Sequence, residues 1–172
     1  MSEKSVLKLP ATARVIVMAC ETEKVLAQKF VEALRERMGK RLLAVALFGS
    51  VARGQATEES DIDLLVIVDD QPSRALQECL SVRRQVEPYP LRRISPIVTT
   101  TEMLRKNFLI LLDILDHGIS LYDPEGILSD LLSRLKRRLE EWGSKKVQLP
   151  DGSWYWQLKP DRKLGETISF EL

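Results

Sequence analysis

Two cysteines and a single histidine are all that this chain of 172 residues holds of the side chains that build disulfide frameworks and zinc sites. Cys20 and Cys79 lie far apart, and a small secreted domain stapled by disulfides needs more of them. His117 and the two thiols have no zinc-ligand spacing. Both cysteines are therefore expected as reduced, buried thiols in a cytoplasmic protein. Long apolar runs are also missing. Val15 to Cys20, bracketed by Arg14 and Glu21, is too short for a signal-peptide core. Leu42 to Ala52 is broken by Gly49 and Ser50, short of the ~20 residues of a membrane helix. Neither sign of charge dominates: 26 Lys and Arg against 25 Asp and Glu leave a net charge of +1, which excludes a strongly basic nucleic-acid coat. Eight glycines and eight prolines exclude collagen-like and low-complexity chains.

What is present is a core. Hydrophobic residues make up 44% and charged residues 30%. At ~150 residues per domain, the length suits one domain with an appendage. Residues 1–10 end in Pro10 and read as a loose tail. Val15, Met18, Val25, Leu26, Phe30, Leu34 and Met38 mark one helix face between Thr12 and Met38, closed by Gly39. The start is open between Thr12 and Glu21. Arg41–Phe48 is a nearly continuous apolar run, the pattern of a strand covered on both faces. Asp61–Val68 is a second such strand, ended by Asp69 to Pro72. A helix over 73–86 follows, stopped by Pro88 and Pro90. Leu91–Val98 is a third strand, and Pro96 places it at an edge or bulge. Thr101–His117 reads as one helix with Gly118 as its C′ residue. Ile119–Tyr122 is a short strand, and Pro124–Trp142 an amphipathic helix.

From Lys145 the pattern changes to alternation. Val147 and Leu149, then Trp154, Trp156 and Leu158, then Ile168, Phe170 and Leu172 predict a small antiparallel meander. All three tryptophans lie at or beyond position 142, so this end is expected to pack on the domain or on the twin subunit of a homodimer. The expected fold class is α/β (α+β): a mixed β-sheet flanked by helices, with a C-terminal helix and β-meander. The expected division is a domain over 1–144 and an extension over 145–172.

The informative stretch is Leu47 to Asp70. Asp61 and Asp63 are two apart on a strand, so both point to one face, about 6.5 to 7 Å apart along the chain. Ile62, Leu64 and Val66 point the other way. Two such anions repel unless a cation screens them. Mg²⁺ is bound by few carboxylates and completes its shell with water and phosphate oxygens; two such ions ~3.5 to 4 Å apart would be bridged by the pair. Gly49-Ser50 follows a strand at once. Glycine lets a phosphate approach the backbone, and a short helix over Val51 to Arg53 would add free N–H groups. Ser50 adds a hydroxyl and Arg53 a fork for phosphate oxygens. A P-loop is the rival for Gly49 to Gly54, but Gln55 and Ala56 stand where Lys and Ser or Thr belong. The arrangement suits a metal-chelated nucleoside triphosphate.

Gly49-Ser50-Val51-Ala52-Arg53-Gly54, followed by Ser60-Asp61-Ile62-Asp63-Leu64-Leu65-Val66, resembles the signature of the DNA polymerase β-like nucleotidyltransferase superfamily, and within it the minimal nucleotidyltransferase group. The resemblance implies transfer of a nucleoside monophosphate from an NTP, ATP favoured, to an acceptor with release of pyrophosphate. The acceptor is open among a protein, a small molecule and an RNA end. Asp61 and Asp63 would be catalytic and ligate Mg²⁺, or Mn²⁺ in its place. Gly49 and Ser50 would hold phosphates with Arg53 helping. The family usually carries a third carboxylate on the next strand. Here Ser95 falls at that place, and Glu87 is the substitute that could reach in. The second reading is therefore a catalytically impaired nucleotide-binding or protein-interaction module of antitoxin kind.

Other candidates have plainer readings. Asp69 and Asp70 read as a strand-end turn, and His117 as a helix-end surface residue. Arg83, Arg84, Arg92 and Arg93 could guide an anionic acceptor but read first as a solvated face, as do Lys136, Arg137 and Arg138. Trp154 and Trp156 could stack a base, but burial of the tail is the first reading.

Overall fold

A computed structural model describes residues 11–57, 59–87, 93–150, 154–163 and 172. Helix α1 spans Ala11–Met38, which settles the open start at its early end. A single 3₁₀ turn, Gly39–Arg41, follows, with Gly39 at φ +56° where glycine meets no steric cost. Strand β1 is Leu42–Phe48, the short helix α2 Gly49–Ala52, β2 Ile62–Val68, α3 Pro72–Val86 and β3 Ile94–Thr99. Then come α4 (Thr101–Lys106), α5 (Leu109–His117), β4 (Ile119–Tyr122), α6 (Ile127–Glu141), β5 (Lys145–Gln148) and β6 (Trp154–Gln157).

The main sheet runs β3-β2-β1-β4. β1 is antiparallel to β2 and β4, while β2 and β3 are parallel, joined through α3. β1 and β2 are covered on both faces, which is why their sequences show so little polar alternation. On one face Val45 and Leu47 of β1 and Ile62, Leu64, Val66 and Val68 of β2 pack with Phe30, Val31 and Leu34 of α1 and Ala75, Cys79 and Val82 of α3. On the other, Ala44, Ala46, Leu65 and Ile67 pack with Phe108, Leu111, Leu131 and Leu135 from the α4 to α6 segment. β3 is an edge strand, as Pro96 requires. Cys79 is a buried free thiol, and burial pushes its pKa up to about 12. The side chain of Cys20 lies outside the described residues.

Two expectations are corrected. The helix expected over 101–117 is two helices. Thr100 caps the first by accepting from the Met103 N–H at 3.2 Å. The chain leaves helical geometry at Asn107, with φ −138° and ψ 89°. Phe108 then turns into the core beside Trp142, ring centroids 6.4 Å apart, and this burial offsets the interruption of the helix. Gly118 is not a left-handed cap either: its φ is −64°. A Cβ there would lie 2.5 Å from Ile114 Cγ2, so close approach accounts for this glycine.

α6 begins at Ile127, where Asp123 accepts from the N–H groups of Leu128 at 3.1 Å and Ser129 at 3.0 Å. β5 and β6 form an antiparallel hairpin. The third strand expected at Ile168 to Leu172 lies outside the described residues except for Leu172. Trp156 packs against the second core, whereas Trp154 and Tyr155 are exposed. Among the described residues no helix is long and apolar enough to cross a membrane.

Candidate active site

The antiparallel pairing of β1 with β2 sets Phe48 opposite Asp63. Gly49 therefore lies directly over the Asp63 side chain. Its φ is +71°, and a Cβ on it would fall 2.2 Å from Asp63 Oδ2. Both the backbone conformation and the contact demand glycine here. The next residues curl into α2, and the loop closes on itself as Gly54 N–H donates to Val51 O at 3.1 Å and Gln55 N–H to Ser50 O at 2.9 Å. Val51 and Ala56 are fully buried in the first core and pin this loop to the sheet.

The far end of the loop is held by Arg93. Its Nε and Nη2 donate to Ser60 O at 2.9 and 2.8 Å, and Nη2 also reaches Thr57 O at 3.3 Å and buried Glu23 at 2.5 Å. Arg83 donates to Ile94 O at 3.0 Å. Arg83 and Arg93 are thus structural, which corrects the solvated-face reading for these two. Arg84 is exposed as expected, and Arg92 lies outside the described residues. Glu87, the minority candidate for a substitute ligand, is 3% exposed and accepts from the Arg93 and Ile94 N–H groups. Its carboxylate fastens the start of β3 and does not reach in, because two backbone donors at that strand end need an acceptor.

Asp61 sits exposed at the mouth of β2, and Asp63 is half-buried on the face it shares with Leu65 and Ile67. Ser95 of β3 stands in register beside Asp63. Burial raises the Asp63 pKa above the ordinary carboxylate value. The charge of Asp61 raises it further and Asp113 adds to this, while Arg53 opposes them. So this corner carries more negative charge than its one arginine offsets.

Asp113, on α5, was not singled out by the sequence reading. Its Oδ1 accepts from Arg53 Nη1 at 2.9 Å, and its Oδ2 accepts from the Gly49 N–H at 3.3 Å. The only local signal is one carboxylate in the apolar run Leu109 to Leu115; its partners lie 60 and 64 positions away. Ser50 is half-buried at the start of α2.

Among the described residues no three His, Cys, Asp or Glu side chains are gathered as a ready-made metal cage. The donor set is two carboxylates, all hard oxygen, with uncompensated charge. That set fits Mg²⁺, which takes one or two carboxylates and completes its octahedron with water and nucleotide phosphates. The remaining candidates fall elsewhere. Asp70 and Arg41 are hydrogen-bonded at the opposite end of the β1–β2 pair. His117 ends α5 and lies 3.1 Å from Asp116. A cavity of about 660 Å³ beneath the β5–β6 hairpin, lined in part by Leu115, Leu139 and Trp156, includes none of the site residues.

Several known proteins are similar to this chain. Residues 27–148 match the family described as Nucleotidyltransferase domain. A protein of Methanocaldococcus jannaschii provisionally named protein adenylyltransferase MJ1305 is 32% identical over 113 residues, 63% of this chain and 77% of that protein. A second with the same provisional name, MJ0604 of the same organism, is 33% identical over 97 residues, 55% of this chain and 93% of that protein. A crystal structure of a toxin-antitoxin with AMP-PNP is 15% identical, with a TM-score of 0.45, over 67% of this chain and 92% of that one.

Proposed function

We propose a function from the premise just reached: this chain belongs to the nucleotidyltransferase domain family. It moves a nucleoside monophosphate from Mg·NTP, ATP first, to a hydroxyl on a protein. The observation that carries the reading is the corner where Gly49 lies over Asp63, with Asp61 beside it and Arg53 facing it. The protein adenylyltransferase names of MJ1305 and MJ0604 support ATP as donor and a protein as acceptor.

Asp61 and Asp63 would hold the metal. When bound, Mg²⁺ neutralises charge that develops on the phosphate oxygens. Gly49, Ser50 and Arg53 hold the β- and γ-phosphates and leave the α-phosphorus facing the acceptor. The acceptor oxygen forms its bond to the α-phosphorus as the bridging bond to the β-phosphate breaks. Pyrophosphate departs with the electron pair, and the hydroxyl proton passes to solvent or to a base on the acceptor. Most of the catalysis is positioning and charge neutralisation, so few side chains suffice.

Ser95 beside Asp63 favours a second reading, a nucleotide-binding module with little turnover. A neutral hydroxyl is a poor Mg²⁺ ligand and a poor base. Incubation with each labelled NTP, Mg²⁺ or Mn²⁺, and cell extract separates the two. Pyrophosphate release with a labelled protein, absent in Asp61→Asn with Asp63→Asn, supports transfer. Metal-dependent nucleotide binding without label supports the module, and turnover appearing in Ser95→Asp would locate the missing group. Failure to bind any metal-loaded nucleotide rejects both.

A further inference from the structure

Asp113 occupies donors that the proposed reaction needs for phosphate. One oxygen takes the Arg53 guanidinium at 2.9 Å, and the other takes the Gly49 N–H at 3.3 Å and a second, longer contact from Arg53, also at 3.3 Å. No other hydrogen-bond partner of Arg53's guanidinium or Gly49's N–H occurs among the described side chains than this carboxylate. A single guanidinium nitrogen, Nη1, meets both carboxylate oxygens, a charge-assisted contact of the kind arginine also makes to phosphate oxygens. Asp113 belongs to α5, which reaches this corner from the second core through Leu111, Leu112 and Ile114. The helix is anchored by those apolar neighbours, and the carboxylate is the part left one-quarter exposed, at 25%.

Asp113 does not extend the metal set: no three carboxylates are gathered for that purpose among the described residues. Nor does it relieve the local charge, since it pushes the Asp63 pKa in the same upward direction as Asp61 does. A residue kept only to steady Arg53 would not need the Gly49 N–H as well. We propose that Asp113 is an internal stand-in for phosphate: it holds Arg53 and the Gly49 N–H in place while the site is empty and competes with the incoming polyphosphate for them. This rests on the nucleotidyltransferase reading of the same site. Asp113 is a positioning residue, acting through Arg53. It keeps the cradle formed, and the cost is weaker nucleotide binding than the same cradle would give without it. A polyphosphate carries more charge than one carboxylate and arrives with metal, so it wins the donors; Asp113 sets how much is needed.

The test is titration calorimetry with Mg·ATP on the full chain, comparing wild type, Asp113→Asn, Arg53→Gln and the double variant, each checked by its melting curve. Asparagine keeps the shape and removes the charge. Charge-assisted hydrogen bonds outweigh neutral ones by roughly a factor of two, so Asp113→Asn is expected to lower the Kd for Mg·ATP about tenfold. In the Arg53→Gln background the same change is expected to give under ~threefold, because the charged donor is gone and only the neutral Gly49 N–H is still contested. Asp113→Ser is the second variant and is expected to move Kd in the same direction if asparagine disturbs packing. An unchanged or raised Kd in both Asp113 variants overturns the proposal while wild-type binding leaves the nucleotidyltransferase reading standing. An equal gain with and without Arg53 overturns it too, by making the effect one of general charge. Absence of Mg·ATP binding in wild type and variants alike rejects both inferences together.

Discussion

The two ends of the β1–β2 pair carry the same kinds of side chain in opposite circumstances. At one end, Arg41 forks onto Glu78 with both contacts at 3.0 Å and also bonds Asp70, while Arg74 and Arg37 stand 3.7 to 3.9 Å from these acids. The Arg41 hydrogen bonds hold the Asp70 and Glu78 pKa values below the ordinary carboxylate range. At the other end, Asp61, Asp63 and Asp113 share Arg53, and the Asp63 pKa is raised. Structural acids are surrounded by their counter-charges; the candidate site sets three carboxylates against one arginine. An uncompensated, half-buried carboxylate beside a backbone that only glycine can follow is a poor way to stabilise a fold and a good way to wait for a cation.

The comparison breaks most sharply at the aspartate pair. Asp61→Asn with Asp63→Asn is expected to lower nucleotidyl transfer by about 10³-fold or more, measured as pyrophosphate release with saturating Mg·ATP. The same change is expected to leave the metal-free melting temperature unchanged or higher, since it removes repulsion. A variant that loses activity and also unfolds earlier would make the pair structural, like the acids at the other end.

Gly49→Ala comes next. The left-handed conformation alone costs about 1–2 kcal/mol for a non-glycine residue, and the Cβ must also displace Asp63 Oδ2 from 2.2 Å. Chemical denaturation is expected to show a loss of at least that size, together with weakened Mg·ATP binding. Gly39→Ala is its control, because Gly39 has φ +56° with nothing within 4 Å of a Cβ. That change is expected to carry the conformational cost and leave binding alone.

How much of this the sequence made legible depends on range. Strands β1 and β2 are apolar runs with polar ends, and the glycine-serine bend and paired aspartates lie on or beside them, so that part is read from neighbours a few residues apart. The break at Asn107 was not legible, because the apolar spacing of Leu104, Phe108 and Leu111 continues through it, and the Trp142 ring that Phe108 meets beyond the break lies far off in the chain. The roles of Arg93 and Asp113 were hidden for the same reason. Arg93 looks like one of a pair of basic residues until Ser60 and Glu23 are brought to it. Asp113 has its partners far off in the chain, and its one local mark, a lone carboxylate in an apolar run, does not say what it binds.

The smallest effect, and the one that tests both ends at once, is the pH dependence of metal-free stability. Asp63 has a folded-state pKa above its unfolded one, so its folded form gains relative stability as pH falls through that raised value. Asp70 and Glu78 have folded-state values below their unfolded ones. Their contribution is present in full above the ordinary carboxylate range and is lost as pH falls through the lowered values. Acidification from neutrality is therefore expected to raise the melting temperature slightly, or hold it level, and then to lower it at more acid pH. Asp63→Asn should erase the early rise and keep the acid loss. Arg41→Met should lower stability at neutral pH and flatten the acid loss, leaving the early rise intact. If one substitution altered both limbs, the two ends would be coupled through the strands, and the charge shortfall at Asp63 would belong to the sheet as a whole rather than to the corner where the metal is expected.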